Sequence, residues 1–177
     1  EQLGEAFDFN LEEIPAQEVD HVKVSSTKVR EALHTGQVTL ANELLGYRYP
    51  LSGVVVKGDQ LGRTLGFPTA NIGAIDPYKL VPGNGVYAVT VQLRSGAHSG
   101  MLYIGERPTL DGGAGHLVVE VNIFDLDRDL YGETISVRFV ERIRADERFA
   151  DLDALKEQLH KDRDTVKQSM KSTAWEQ

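Results

Sequence analysis

Leu117-Val118-Val119-Glu120-Val121-Asn122-Ile123-Phe124 is the run whose reading decides the fold. Successive side chains of a strand point to opposite faces, so Leu117, Val119, Val121 and Ile123 share one side and Val118, Glu120, Asn122 and Phe124 the other. The same period recurs upstream, where Tyr87, Val89, Val91 and Leu93 alternate with Ala88, Thr90 and Gln92. Downstream, Ile135, Val137 and Phe139 alternate with Ser136 and Arg138. Turns rich in Gly, Asp and Pro separate these runs. Short alternating strands without helices between them predict an antiparallel sheet with one buried face, arranged as a small barrel or sandwich. Closure would remove the exposed edges.

Outward from these strands the pattern becomes helical. An Asp151 cap followed by Leu152, Leu155, Leu159 and Val166 predicts an amphipathic helix packed on the barrel, with a tail over 171–177. On the other side, the segment up to Gly46 has two apolar-polar runs and then two short helical patterns. Ser26 suits a cap for a helix carrying Val29 and Leu33, and Gly36 suits its end. Leu40, Leu44 and Leu45 form a second short helix that Gly46 stops. This piece is too small to bury a core of its own. The expected division is therefore 1–46, the end of a larger unit, and 47–170, the barrel and its helix.

Composition excludes several classes. Hydrophobic residues make up 41% and charged residues 26% of the 177, enough apolar material for a packed core. A net charge of −8 gains nothing from counterion release, so a general nucleic-acid binder is not expected, although one cleft can still take an anionic nucleotide. The chain has no cysteine, which removes disulfides, thiolate metal sites and a cysteine nucleophile and suits a cytoplasmic setting. No stretch approaches the ~18 apolar residues that cross a bilayer. The acidic start Glu1-Gln2-Leu3-Gly4-Glu5 is unlike a signal peptide, and a first residue other than Met leads us to expect a fragment.

Several familiar motifs fail on single residues. Gly53 and Gly58 have P-loop spacing, but Asp59 and Gln60 stand where Lys and Ser or Thr belong. Gly83-Asn84-Gly85-Val86-Tyr87-Ala88 has the letters of a dinucleotide fingerprint and leads into a strand instead of a helix. Asp125, Asp127 and Asp129 imitate a calcium loop whose sharp-turn glycine would be Leu130, so a hairpin turn is the better reading. None of the five His residues lies in an HExxH pattern.

The informative loop is Gly58-Asp59-Gln60-Leu61-Gly62-Arg63-Thr64-Leu65-Gly66-Phe67-Pro68-Thr69-Ala70-Asn71. Its three glycines and Arg63 can wrap an anion with backbone N–H groups and a guanidinium. Thr69 and Asn71, two apart, project to one side and offer two hard oxygen donors of the kind Mg²⁺ accepts. From the residues alone, a turn-rich connector whose Thr and Asn bond local backbone is the favoured reading.

The run Gly66-Phe67-Pro68-Thr69-Ala70-Asn71 resembles the signature of the riboflavin kinase family. The resemblance continues through Gly85-Val86-Tyr87-Ala88, Gly105-Glu106-Arg107-Pro108-Thr109, Val119-Glu120-Val121-Asn122-Ile123-Phe124-Asp125, Asp129-Leu130-Tyr131-Gly132 and Arg144-Ala145-Asp146-Glu147-Arg148-Phe149. Some relatives have Asn where this chain has Arg107. The resemblance implies a mainly β fold, a six-stranded antiparallel, Greek-key-like barrel with a C-terminal helix. It implies transfer of the γ-phosphoryl group of ATP to the riboflavin 5′-hydroxyl, giving FMN. Gly58, Gly62, Arg63, Gly66, Pro68, Thr69 and Asn71 would bind ATP, with Mg²⁺ at Thr69 and Asn71. Glu120 would be the catalytic carboxylate, and Arg144, Glu147 and Phe149 would join it on the flavin side.

Two of these roles have plain alternatives. Glu120 shares its face with Val118 and Phe124, where a charged residue is commonly just solvated; the apolar company also suits a flavin pocket. Phe149 either covers the flavin ring or anchors the helix. At the other end, Val24-Ser25-Ser26-Thr27-Lys28-Val29-Arg30 resembles a phosphate-holding motif of the FMN adenylyltransferase module in bacterial bifunctional FAD synthetases. Ser25, Ser26, Thr27 and Arg30 would then be its remnant, and an ordinary capped helix is the alternative. The His-x-Gly-His partner of that motif is missing, since Gly113-Ala114-Gly115-His116 lacks the first His, so FAD formation is not expected. The rival reading from another class is a flavin-binding barrel that acts as a carrier or sensor. No membrane partner is expected, and the remainder of the adenylyltransferase module is the expected neighbour in the parent chain.

Overall fold

The alternating runs form strands, and the strands close. In the computed structural model, which describes residues 18–19, 22–58, 61–107 and 116–172, six of them form an antiparallel barrel. Around the barrel the order is β3 (Pro50–Val56), β4 (Ala70–Gly73), β7 (His116–Ile123), β6 (Gly96–Arg107), β5 (Gly85–Leu93) and β8 (Thr134–Arg144), with β8 pairing back to β3. A short ribbon of β1 (Glu18–Val19) and β2 (Val22–Lys23) precedes it. Helix α1 (Ser26–His34), helix α2 (Val38–Leu45), a single turn α3 (Leu61–Thr64) and the long α4 (Leu152–Ser172) complete the described elements.

The period of two sorts the barrel walls as the sequence predicts. Tyr87, Val89, Val91, Val119, Val121, Ile135, Val137 and Phe139 fill the interior, where Tyr87 meets Phe139 edge to face at 5.2 Å. Leu117 departs from this pattern. It is 43% exposed at the open end of β7, where the core no longer reaches. The expectation of one buried face also needs correction on one side of the barrel. Val86, Ala88, Met101, Phe124 and Val140 point outward and are buried together with Val166 of α4. The helix thus covers the outer wall and creates a second apolar layer.

Strand β8 makes room for that layer by bulging. Its pairing with β5 skips a residue between Val86/Tyr87 and again between Ala88/Val89. An extra residue on one strand bends it and re-aims its neighbours. Here Phe139 stays inside, Val140 turns out beneath α4, and the strand end delivers Arg144 to the outer wall. Helix α4 starts where Asp151 Oδ1 accepts from the Ala154 N–H at 2.8 Å.

Helices α1 and α2 join the barrel core. Ala32, Leu33, Val38 and Ala41 belong to the same buried cluster as Leu51, Tyr87 and Phe139. Asn42 fixes the junction by donating to the Phe139 carbonyl at 3.0 Å and accepting from the Tyr49 N–H at 2.7 Å. Ser25, not Ser26, caps α1: its extended backbone lets Oγ accept from the Lys28 N–H, whereas Ser26 is already helical. Gly36 and Gly46 end the two helices with φ of 76° and 74°. The acidic run 125–129 is a turn, with Asp129 accepting from the Tyr131 N–H at 2.8 Å, but not the expected hairpin: it leads from β7 to β8, which pair with other strands and not with each other. No described helix is long and apolar enough to cross a membrane.

Candidate functional site

Register builds the site. Asn71 of β4 lies opposite Glu120 of β7, Glu120 opposite Tyr103 of β6, Tyr103 opposite Val86 of β5, and Val86 opposite Arg144 of β8. Directly opposed residues in a ladder share a face, so these five residues form a row across the outer wall of the barrel. Glu120 is half-buried in the middle of it. Its Oε2 accepts a hydrogen bond of 2.9 Å from the Thr69 hydroxyl.

Thr69 is held from behind. Asn122, only 8% exposed, donates Nδ2–H to the Pro68 carbonyl at 2.7 Å and so pins the segment that leads into β4. The preceding loop folds back on itself, with the Phe67 N–H bonded to the Gly62 carbonyl at 2.8 Å. A Cβ on Gly62 would meet the Phe67 carbonyl oxygen at 2.4 Å, so only glycine fits there. Phe67 is buried beneath α4, edge-on to His160 at 4.9 Å and with the Arg163 guanidinium 5.8 Å from its ring centre.

Two cavities meet at Thr69. One, of about 430 Å³, lies between the Arg63 to Ala70 segment and the β7–β8 connection at Leu126, Asp127, Arg128 and Tyr131. The other, of about 280 Å³, is bounded by Gly62, Phe67, Glu120, Tyr103, Arg144 and Phe149. It is mainly apolar, with Glu120 at the end nearest Thr69 and α4 as a wall. Beside the first cavity, Arg128 forks onto the Glu133 carboxylate, which holds that carboxyl below its ordinary range.

Most residues named from sequence distribute over both cavities, while Gly58, Gly66 and Asn71 line neither. Arg63, Pro68 and Thr69 line the larger one; Gly62, Thr69, Glu120, Arg144, Glu147 and Phe149 line the smaller. Gly58 lies against the Asn71 amide, where an added Cβ would come within 2.2 Å of Nδ2. Gly66 has φ of 85°, the left-handed conformation that ends the α3 turn. Asp59 and Gln60, and the Pro108–Thr109 end of the middle motif, lie outside the described residues. Ser26, Thr27 and Arg30 are exposed on α1, remote in sequence from both cavities, and Ser25 is occupied as the cap.

Arg144 is not a free guanidinium facing the cavity. Its Nε donates to both oxygens of Asp162 at 3.1 and 2.9 Å. Sequence reasoning did not single out Asp162, Tyr103 or Asn122. Their roles depend on strand register and on where α4 lands, which no local motif encodes.

The donor set suits a hard cation. A hydroxyl carries one proton and two lone pairs, so Thr69 can donate to Glu120 and still offer oxygen to Mg²⁺. The Asn71 amide stands in the same row as Glu120 and packs against Gly58. Phosphate oxygens and waters ordinarily complete such a shell.

Comparison with known proteins identifies the family. The flavokinase family model, described as riboflavin kinase, matches residues 45–170. A bifunctional riboflavin kinase/FMN adenylyltransferase from Bacillus subtilis is 42% identical over 142 residues, covering 80% of this chain and 45% of that protein. Its counterpart from Haemophilus influenzae is 41% identical over 165 residues, 91% of this chain and 51% of the relative. The chain spans about half the length of the curated relatives it matches. The crystal structure of a protein from Streptococcus pneumoniae described as a macrolide-efflux protein matches 98% of this chain at TM-score 0.84 and 36% identity, over 54% of its own length. With the family model covering most of the chain, from the end of α2 nearly to the end of α4, the chain belongs to the riboflavin kinase family.

Proposed function

We propose that the chain phosphorylates the ribityl 5′-hydroxyl of riboflavin with Mg·ATP, giving FMN and ADP. The observation that carries the reading is the Thr69–Glu120 hydrogen bond at the seam of two cavities of different character. A kinase needs two substrate sites that meet at one point. The larger cavity, rimmed by Arg63 and Arg128, takes the nucleotide, and its phosphates run toward Thr69. The smaller, apolar cavity takes the flavin ring, with the ribityl chain leading to Glu120.

Phosphoryl transfer asks the protein mainly for positioning and charge neutralisation. Thr69 and Asn71 would hold Mg²⁺, which when bound neutralises the phosphate oxygens. Arg63 and the backbone of the glycine loop add donors for the same anion. Glu120 accepts the hydrogen bond of the 5′-hydroxyl and takes its proton as the oxygen attacks phosphorus. Thr69 keeps the carboxylate oriented, because its donated hydrogen bond fixes one of the two oxygens. Asn122 and Phe67 hold Thr69 in turn.

The proposal is for FMN formation in a cytoplasmic setting. FAD formation is not expected, and in a longer parent chain the neighbour would be an adenylyltransferase module like that named in the relatives. A carrier or sensor would have use for the apolar cavity but none for a nucleotide cavity beside it. The test is a chromatographic assay of riboflavin with Mg·ATP, with and without EDTA. FMN that appears only with metal supports the reading. Riboflavin bound by the folded protein but never converted would replace it with the carrier.

A further inference from the structure

Asp162 is 1% exposed, yet its carboxylate takes no part in the reaction just described. It sits on α4 facing the end of β8. Arg144 Nε donates to both of its oxygens at 3.1 and 2.9 Å, and Nη2 lies 2.9 Å from Oδ2. Gln158, one helical turn earlier, adds a donor to Oδ1 at 2.8 Å. The carboxylate is thus saturated by a planar fork and an amide, the arrangement that fixes a guanidinium's orientation as well as its position.

The rest of the Arg144 guanidinium organises the loop that follows it. Nη1 donates to the Ala145 carbonyl at 3.0 Å and lies 3.5 Å from Glu147 Oε1. The guanidinium carbon stands 5.4 Å from the centre of the Phe149 ring. Asp146, between them, accepts from the Tyr103 hydroxyl at 3.1 Å. Glu147 and Phe149, which line the flavin-side cavity, are therefore referred to one side chain, and that side chain is referred to Asp162. A buried ion pair is weak support for stability, because well-packed apolar residues commonly do as well. What it supplies here is a fixed geometry.

We propose that Asp162 is a positioning residue for the flavin: by holding Arg144, it sets the wall formed by Arg144, Glu147 and Phe149 against the isoalloxazine. This rests on the assignment of the smaller cavity to the flavin. The consequence is selective. Loosening Asp162 disturbs the flavin side of the site, whereas the nucleotide cavity contains neither Arg144 nor its loop.

The experiment compares wild type, Asp162→Asn and Asp162→Glu by riboflavin fluorescence titration, by KM for riboflavin and for ATP, and by thermal unfolding. Asp162→Asn is expected to weaken riboflavin binding roughly 10- to 100-fold, the scale of a displacement of about an ångström. Its KM for ATP should stay within about twofold, and Asp162→Glu should recover part of the loss, because a carboxylate still meets the fork. Riboflavin affinity unchanged in a folded Asp162→Asn would overturn the proposal. So would an equal loss for both substrates, which would mark a general structural role. If Asp162→Asn does not fold, Asp162→Glu decides: a riboflavin-selective loss supports the proposal and an unselective one or none overturns it. Wild type that binds no riboflavin would instead sink the functional reading on which the proposal rests.

Discussion

Thr69 and Glu120 stand 51 residues apart in sequence and share a hydrogen bond of 2.9 Å. Neither side chain is unusual alone; their chemistry comes from the row they occupy. Replacing Glu120 by Gln keeps the shape and leaves an amide, which cannot take the proton of the 5′-hydroxyl. We expect kcat to fall about 10²–10⁴-fold, the usual scale for a lost general base, with nucleotide affinity nearly unchanged. Steady-state kinetics together with a nucleotide titration separates the two. Gly62 makes the opposite kind of prediction, since its role is to be small. In Gly62→Ala the methyl group meets a backbone oxygen at 2.4 Å, which no side-chain rotation relieves. The expected outcome is a loss of about 1–3 kcal/mol, as for other overpacked sites, with a raised KM for ATP as Pro68 and Thr69 shift. Urea unfolding and the ATP dependence of the rate check both halves.

At the scale of elements, the alternation of Val119, Val121 and Ile123 against Glu120, Asn122 and Phe124 was legible in the sequence because a half-buried strand writes its two faces in alternate letters. The same alternation put Glu120 outside the barrel among apolar neighbours. What it could not supply was register. Tyr103 enters the site only because β6 pairs with β7 at Glu120, and Arg144 reaches it only because β8 bulges. Both are long-range choices made by the whole sheet. The helix followed the same rule. Leu159 and Val166 marked its inner face, but that the carboxylate of Asp162 would be buried there required knowing that Arg144 stands opposite. The cap of α1 shows the smaller limit: Ser25 and Ser26 carry the same hydroxyl, and only the backbone decides which one caps.

For the molecule as a whole, helices α1 and α2 are structurally part of the barrel unit. Leu33 is buried in the main core, and the Gly83 N–H donates to its carbonyl at 2.9 Å. Arg142 ties the Thr35 and Asn84 carbonyls together across the junction. Leu33→Ala should therefore destabilise the whole unit by about 2–5 kcal/mol, as a core truncation does, and not a detached appendage. A single unfolding transition shifted to lower urea is the expected signature. Tyr87 gives the core a pH dependence as well. Burial raises its phenol above the ordinary value, so the stability it contributes is present below about pH 10 and is lost as pH rises through the folded value. Unfolding midpoints followed into alkali should fall, and Tyr87→Phe should flatten that fall.

In the proposed mechanism, one carboxylate at the seam of two cavities carries the transfer. Its most direct test is a single turnover of riboflavin to FMN, with enzyme in excess and Mg·ATP saturating, in wild type and in Glu120→Gln. We expect rapid FMN formation in wild type, and a variant that binds both substrates but forms FMN at least about a hundredfold more slowly. A variant as fast as wild type, or a folded wild type that binds both substrates and forms no FMN, would contradict it.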